Sequence, residues 1–217
     1  VQMVGKTKGR NGSIARPTCT RSRSQMISTL LPVTGQTLMH MADIAMYHAK
    51  KQGRGRYFWF EASMESELRF RGKLEKGIRQ GIPRGEFVPY YEQQIDLQTG
   101  ELTGFEMLAR WNSPTLGLVS PDIFIPVAEE IGIIIPLGEW VVQEACRQAS
   151  IWPDDLKVAV NVSSVQFRSP RLLDSFSRAL SASQLPPQRL ELEITESVFL
   201  TNNAETIEIL HKLRALG

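Results

Sequence analysis

Three short runs of this 217-residue chain place oxygen ligands at the ends of apolar, strand-like segments. In LELEITE, residues 190–196, strand alternation turns Leu190, Leu192 and Ile194 to one face and Glu191, Glu193 and Thr195 to the other. Two carboxylates on one face, with Glu196 next in line, are expensive to desolvate without bases or a metal ion. An exposed edge strand carries the same pair harmlessly. In LKVAVNVSS, residues 156–164, the apolar run ends in Asn161, Ser163 and Ser164. An amide oxygen at that position can accept a backbone bond or ligate a hard cation. In GFEMLARW, residues 104–111, Glu106 and Arg110 share a strand face. They could hold a cation and a phosphate respectively, or pair with each other. Three strand ends, each bearing an oxygen ligand, fit a hard-metal site at the C-terminal face of a parallel array, where such folds place function.

Other reactive residue types point elsewhere. His40, His48 and His211 lie on different elements without HxH or HExxH spacing, so they read as surface or packing residues. Trp111, Trp140 and Trp152 read as packing, and Met39, Met41 and Met46 form no cofactor signature. Arg54 and Arg56 flank Gly55 and could meet phosphate, but a basic glycine turn is common on surfaces. Neither a Walker loop nor a GxSxG elbow is present. Cys19 and Cys146 are the two cysteines, which excludes a disulfide scaffold and a cysteine-rich zinc site.

The elements that must position these residues follow from periodicity. A helix is expected over about 36–50, where Leu38, Met41, Ala45 and Ala49 recur at helical spacing, followed by a short aromatic strand in RYFWF, residues 56–60. A second helix spans about 62–80, with Met64, Leu68, Arg71, Leu74 and Ile78 on one face. Strands follow at Phe87 to Ile95 and Leu102 to Trp111, joined by a turn at Gln98, Thr99 and Gly100. Ser120 and Pro121 open a helix. Leu137 to Ser150, about 170–183 and Ala204 to Leu216 are further helices, the last with Ile207, Leu210 and Leu213 inward. Leu156 to Ser163 and Leu190 to Thr195 complete the strands. Strands alternating with helices mean βα units and a mainly parallel sheet. A closed (β/α)8 barrel needs roughly 200 to 250 residues, and about 130 follow residue 86. The choice is a small open sheet or a piece of a barrel.

Composition sets the outer limits. With 42% hydrophobic and 22% charged residues the chain can build a core. It contains no run near the roughly 18 consecutive apolar residues that span a bilayer and no signal-peptide pattern, so a cytoplasmic protein is the expectation. The formal charge of +2 averages unlike parts: residues 1–26 hold six Lys or Arg and no acid. That arm lacks aromatic interleaving, so a disordered leader is expected rather than a specific nucleic-acid contact.

Several motifs together resemble one family. YYEQQIDLQTGELTGFEMLARW, SPDIFIPVAEEIG, NVSSVQF and LELEITES stand in the order and spacing of EAL-family cyclic di-GMP phosphodiesterases. ADIAMYHAKKQGRGRYFWF, residues 42–60, resembles the C-terminal end of a GGDEF diguanylate cyclase domain. The resemblance implies an α/β fold, a partial (β/α)8 TIM-type barrel preceded by a helix-strand remnant and a connecting helix. The expected divisions are a leader at 1–35, the GGDEF remnant at 36–61, the linker helix at 62–82 and a truncated EAL domain at 83–217. It further implies hydrolysis of cyclic di-GMP to linear pGpG with Mg²⁺ or Mn²⁺. Glu106, Asn161 and Glu193 would be metal ligands, Arg110 a substrate-phosphate contact, and Glu196 a support for a neighbouring active-site loop. The signature reads EML rather than EAL, with Met107 expected on the opposite strand face from its ligand. The family's DDFGTG segment and its later lysine, glutamate and glutamine are not in these 217 residues. The expectation is therefore a chain inactive by itself. The alternative is a degenerate cyclic di-GMP-binding or dimerising module, with a homodimer through the EAL part.

Overall fold

The computed structural model describes residues 34–53, 55, 57–195, 198 and 204–217. The basic leader, apart from its last two residues, lies outside them, as do Arg54, Arg56 and Glu196. The described residues fall into two compact units, dividing between Phe60 and Glu61.

In the first unit, helix α1 (Gly35–Lys51) begins where the Thr34 side chain accepts a hydrogen bond from the Thr37 amide at 3.2 Å, satisfying one of the donors left over at a helix start. His48 then meets Phe58 edge-on, with ring centroids 4.9 Å apart. The strand expected over RYFWF does not form: residues 57–60 carry no strand pairing. Aromatic residues favour a strand only where a neighbouring strand receives their backbone groups, and the described part of this unit has a helix and no other strand.

The second unit opens with α2 (Ala62–Gly81), whose buried residues Met64, Leu74 and Ile78 belong to the expected stripe. Strands β1 (Phe87–Ile95) and β2 (Leu102–Ser113) form an antiparallel hairpin. Its turn is built by Asp96, whose Oδ1 accepts the amides of Gln98 and Thr99 at 2.8 and 2.9 Å, and by Gly100 at φ 75°. Those bonds hold the Asp96 carboxyl below its usual range. After β3 (Gly117–Val119) come α3 (Pro121–Glu130), α4 (Ile134–Ala149), β4 (Lys157–Val162), α5 (Leu172–Ser183), β5 (Leu190–Ile194) and α6 (Ala204–Ala215). Ser120 occupies the cap position of α3 without a side-chain cap bond, so its contribution is backbone geometry ahead of Pro121.

The sheet order is β1-β2-β4-β5, with β3 against β2. β2, β4 and β5 run parallel, and β1 and β3 pair antiparallel with β2. This is the α/β fold of a partial barrel: successive parallel strands joined through helices. One sheet face carries Met107, Val158, Val160, Val162, Leu190 and Leu192 into a core closed by α4, α5 and α6. A second core joins α2, α3 and the start of α4 to Phe87 and Trp111. On α6 the inward stripe is Ile209, Leu210 and Leu213, whereas Ile207 is exposed. The helix is thus rotated from the expected face, because α6 must cover both the sheet and α5.

Arg189, unremarked in the sequence, ties the loop before β4 to the start of β5. It is buried, and its guanidinium donates to the carbonyls of Leu156, Ala149 and Pro153 at 2.8, 2.9 and 2.9 Å. Arg189→Ala leaves three carbonyls short of a donor, and equilibrium urea unfolding is expected to show a loss of about 3 kcal/mol. A loss below about 1 kcal/mol would mean that water replaces the guanidinium without cost.

Candidate functional site

Strand register decides which side chains meet. Glu106 pairs with Ala159 and Asn161 with Glu193, while Ala159 pairs with Glu191. Because paired residues share a face and alternate residues return to it, Glu106, Asn161, Glu191 and Glu193 occupy one face. Leu190, Leu192 and Ile194 occupy the other. Met107 follows Glu106 onto the opposite face and is 2% exposed in the core, so a bulkier residue than alanine fits there without touching the face that carries Glu106. Register also puts Glu92 opposite Glu106 and Gln94 opposite Gly104 on that same polar face.

The contacts across this face are specific. Asn161 Nδ2 donates to Glu106 Oε1 at 2.5 Å, joining β4 to β2. Gln94 Nε2 donates to Glu193 Oε1 at 3.1 Å, joining β1 to β5. Lys157 Nζ lies 2.5 Å from Glu191 Oε1. Glu191 therefore has its own base, whereas Glu193 has a neutral amide. Partial burial, then the charge of Glu106, push the Glu193 carboxyl above its usual 4.5, with the Gln94 bond opposing and Glu191 adding to the rise.

That shift has a definite sign. The folded chain holds the Glu193 proton more tightly than the unfolded one, so ionisation penalises the fold above the raised value and the penalty vanishes below 4.5. Glu193→Gln is expected to raise the thermal midpoint at pH 7 in metal-free buffer, with the gain fading as pH falls to 4.5 and below. Differential scanning calorimetry at several pH values checks this; a gain independent of pH would assign it to packing.

Arg110 stands further along β2. Its guanidinium lies 5.4 Å from the centroid of the Tyr90 ring, and Nη1 donates to the Ala109 carbonyl at 3.1 Å. The pairing with Glu106 does not occur, since four residues of strand separate them by about 13 Å. Beside Arg110 opens a cavity of about 260 Å³, lined by apolar side chains of β2, α3 and α4 and by Asn161, Ser163 and Thr195 at the strand ends. Ser163 Oγ donates to Glu129 Oε1 at 2.5 Å on its rim. Gln166 is buried, accepts the Ser163 amide at 2.9 Å and packs on Gly138, where any added Cβ would collide with its amide. Gln94, Glu129 and Gln166 were not singled out in the sequence, because each acts through a partner on another element.

The site thus gathers Glu106, Asn161 and Glu193 on one sheet face, with Arg110 further along the same face, and Glu196 lies outside the described residues. Two carboxylates and an amide suit a hard cation in donor chemistry, and turning the Asn161 amide would present its oxygen. Among the described residues no group of three or more His, Cys, Asp or Glu side chains is placed to hold a metal ion. His40, His48 and His211 are not brought together with these residues in any such group. Cys146 is buried, and burial pushes its thiol up to about 12, which excludes a reactive thiolate.

An α/β partial barrel with acidic side chains gathered on one face of its parallel strands is the class that fold and site define. The EAL domain model matches residues 75–217, and the chain belongs to that family. It is 42% identical over 184 residues to an uncharacterized signaling protein of Caulobacter vibrioides, covering 85% of this chain and 23% of that protein. It is 42% identical over 195 residues to the bifunctional diguanylate cyclase/cyclic di-GMP phosphodiesterase MucR of Pseudomonas aeruginosa, covering 87% of this chain and 28% of MucR. Its fold matches the solved PaMucR phosphodiesterase in complex with c-di-GMP at a TM-score of 0.63 and 39% identity, over 67% of this chain and 60% of that one. The chain therefore spans about a quarter of the length of these curated relatives. Among the described residues no helix is long and apolar enough to cross a membrane.

Proposed function

We propose that this chain forms part of a cyclic di-GMP phosphodiesterase site, with Glu106, Asn161 and Glu193 binding Mg²⁺ or Mn²⁺ and Arg110 binding a substrate phosphate. The observation that carries this reading is the convergence of those three side chains from β2, β4 and β5 on one face, with Arg110 beside the cavity. The PaMucR structure, titled as a c-di-GMP complex, supports the ligand. Glu196 is assigned the loop-supporting role by its position in LELEITES.

A divalent cation at this site would supply a water nucleophile at neutral pH and neutralise phosphoryl charge. The residues themselves hold and orient. Arg110 offers a planar fork of N–H donors matched to phosphate oxygens, held in place by Tyr90 and the Ala109 carbonyl. The uncompensated charge of Glu193 and Glu106 favours a cation, whose arrival relieves their mutual repulsion. The apolar cavity beside Arg110 suits a flat heterocycle of the dinucleotide.

Residues 36–61 are read as the end of a GGDEF domain and 62–82 as its linker helix. Relatives matching 85% or more of the chain, one of them a bifunctional cyclase and phosphodiesterase, support that arrangement. A second reading, a non-catalytic cyclic di-GMP-binding module, is supported by the small donor set among the described residues. Incubating the chain with cyclic di-GMP and Mn²⁺ separates the two. Metal-dependent pGpG that Glu106→Ala abolishes supports hydrolysis and overturns the expectation of a chain inactive by itself, binding without turnover supports the module, and the absence of both turnover and binding overturns both readings.

A further inference from the structure

β1 and β5 stand at opposite ends of the strand order. In a flat sheet, three steps of about 4.8 Å would hold them about 14 Å apart. Gln94 on β1 nevertheless donates to Glu193 on β5 at 3.1 Å. Gln94 is level with Lys157 at the start of β4 and Glu193 with Asn161 near its end, so the sheet must both stagger and curl toward its polar face for the two side chains to meet, as strands do in a barrel. Gly104 pairs with Gln94 across the β1-β2 ladder, and a Cβ added there would lie 2.5 Å from the Lys157 carbonyl oxygen, so only glycine lets β2 and β4 approach this closely beside Gln94.

The chemistry of the donor matters as much as its reach. A lysine or arginine at position 94 would orient Glu193 but cancel its charge. A carboxylate would repel it. The neutral amide fixes one carboxylate oxygen and leaves the full negative charge available, which is how outer partners of metal-binding carboxylates act. We propose that Gln94 is a positioning residue for Glu193, holding that carboxylate across the curled face for a hard divalent cation; this rests on the metal-site reading above.

The test uses the full chain and Mn²⁺. Free Mn²⁺, read from its six-line electron paramagnetic resonance signal, gives the affinity, and the low-temperature spectrum of the bound ion reports its ligand geometry. Gln94→Met keeps the length and removes the donor, and Gln94→Asn keeps the amide but shortens its reach. Both are expected to weaken Mn²⁺ binding about tenfold or more and to change the bound-ion spectrum, while circular dichroism of the metal-free chain stays that of the unsubstituted protein. A purely structural contact would leave the bound spectrum unaltered. Unchanged affinity and spectrum in both variants overturn the role of Gln94 while the metal site stands. No Mn²⁺ binding by the unsubstituted chain overturns the metal-site reading itself, and this role with it.

Discussion

Trp111→Ala is expected to cost about 3–5 kcal/mol in equilibrium unfolding, the range for deleting a large buried aromatic. Trp111 is fully buried. Its ring stacks on Phe87 at a centroid distance of 5.6 Å and an interplanar angle of 11°, and meets Phe124 edge-on at 6.2 Å. Its Nε1 donates to Glu86 Oε2 at 3.0 Å, so the substitution also leaves a shielded carboxylate without its donor. Helix α2 depends on the same ring. A Cβ on Gly77 would lie 2.7 Å from the Trp111 ring, and one on Gly81 3.0 Å from its Nε1, so two small residues let the helix seat against it. Urea titration followed by circular dichroism measures the loss. Trp111→Phe, which keeps most of the aromatic volume and drops the N–H, is expected to recover more than half of it. A loss below about 2 kcal/mol for alanine would show that α2 and α3 close over the gap.

Glu106→Gln is expected to have the largest effect on the proposed chemistry. The amide keeps the shape of the side chain and can still meet Asn161, so the fold is retained while the charge is removed. Mn²⁺ affinity should fall by more than about 100-fold, beyond the range for partners outside the coordination shell. Removing the Glu106 charge also removes the second-largest cause of the raised Glu193 carboxyl, whose titration should move back toward its usual 4.5. Carboxyl-carbon NMR across pH reads that shift independently of metal. A large loss of affinity with no change at Glu193 would mean that the two carboxylates do not share one site.

Much of this was legible along the chain because the signals were local. Alternation in LELEI requires no knowledge of the neighbours: Leu190 and Leu192 must be buried, and Glu193 is thereby placed on the other face. Gln98, Thr99 and Gly100 similarly mark the hairpin turn within three residues, although the Asp96 bonds that build it were not read from the sequence. The signals failed where a partner had to be present. RYFWF carries strand-forming side chains, but residues 57–60 have no neighbouring strand among the described residues. Periodicity in α6 allowed Ile207 to face inward, yet packing on β5 and α5 selected Ile209, Leu210 and Leu213. The pairing of Glu106 with Arg110 failed for a geometric reason, since sharing a strand face does not shorten the distance along the strand.

The sequence by itself determined the family, the parallel strands and the face of each strand that carries Glu106, Asn161 and Glu193, because motif order and two-residue periodicity are written in one dimension. Only the tertiary structure decided which of those residues touch. Gln94 and Glu193 are 99 positions apart, and Arg189 reaches carbonyls 33 to 40 positions away. Such contacts depend on the curl of the sheet and on how its helices pack, which are properties of the whole folded unit rather than of any segment.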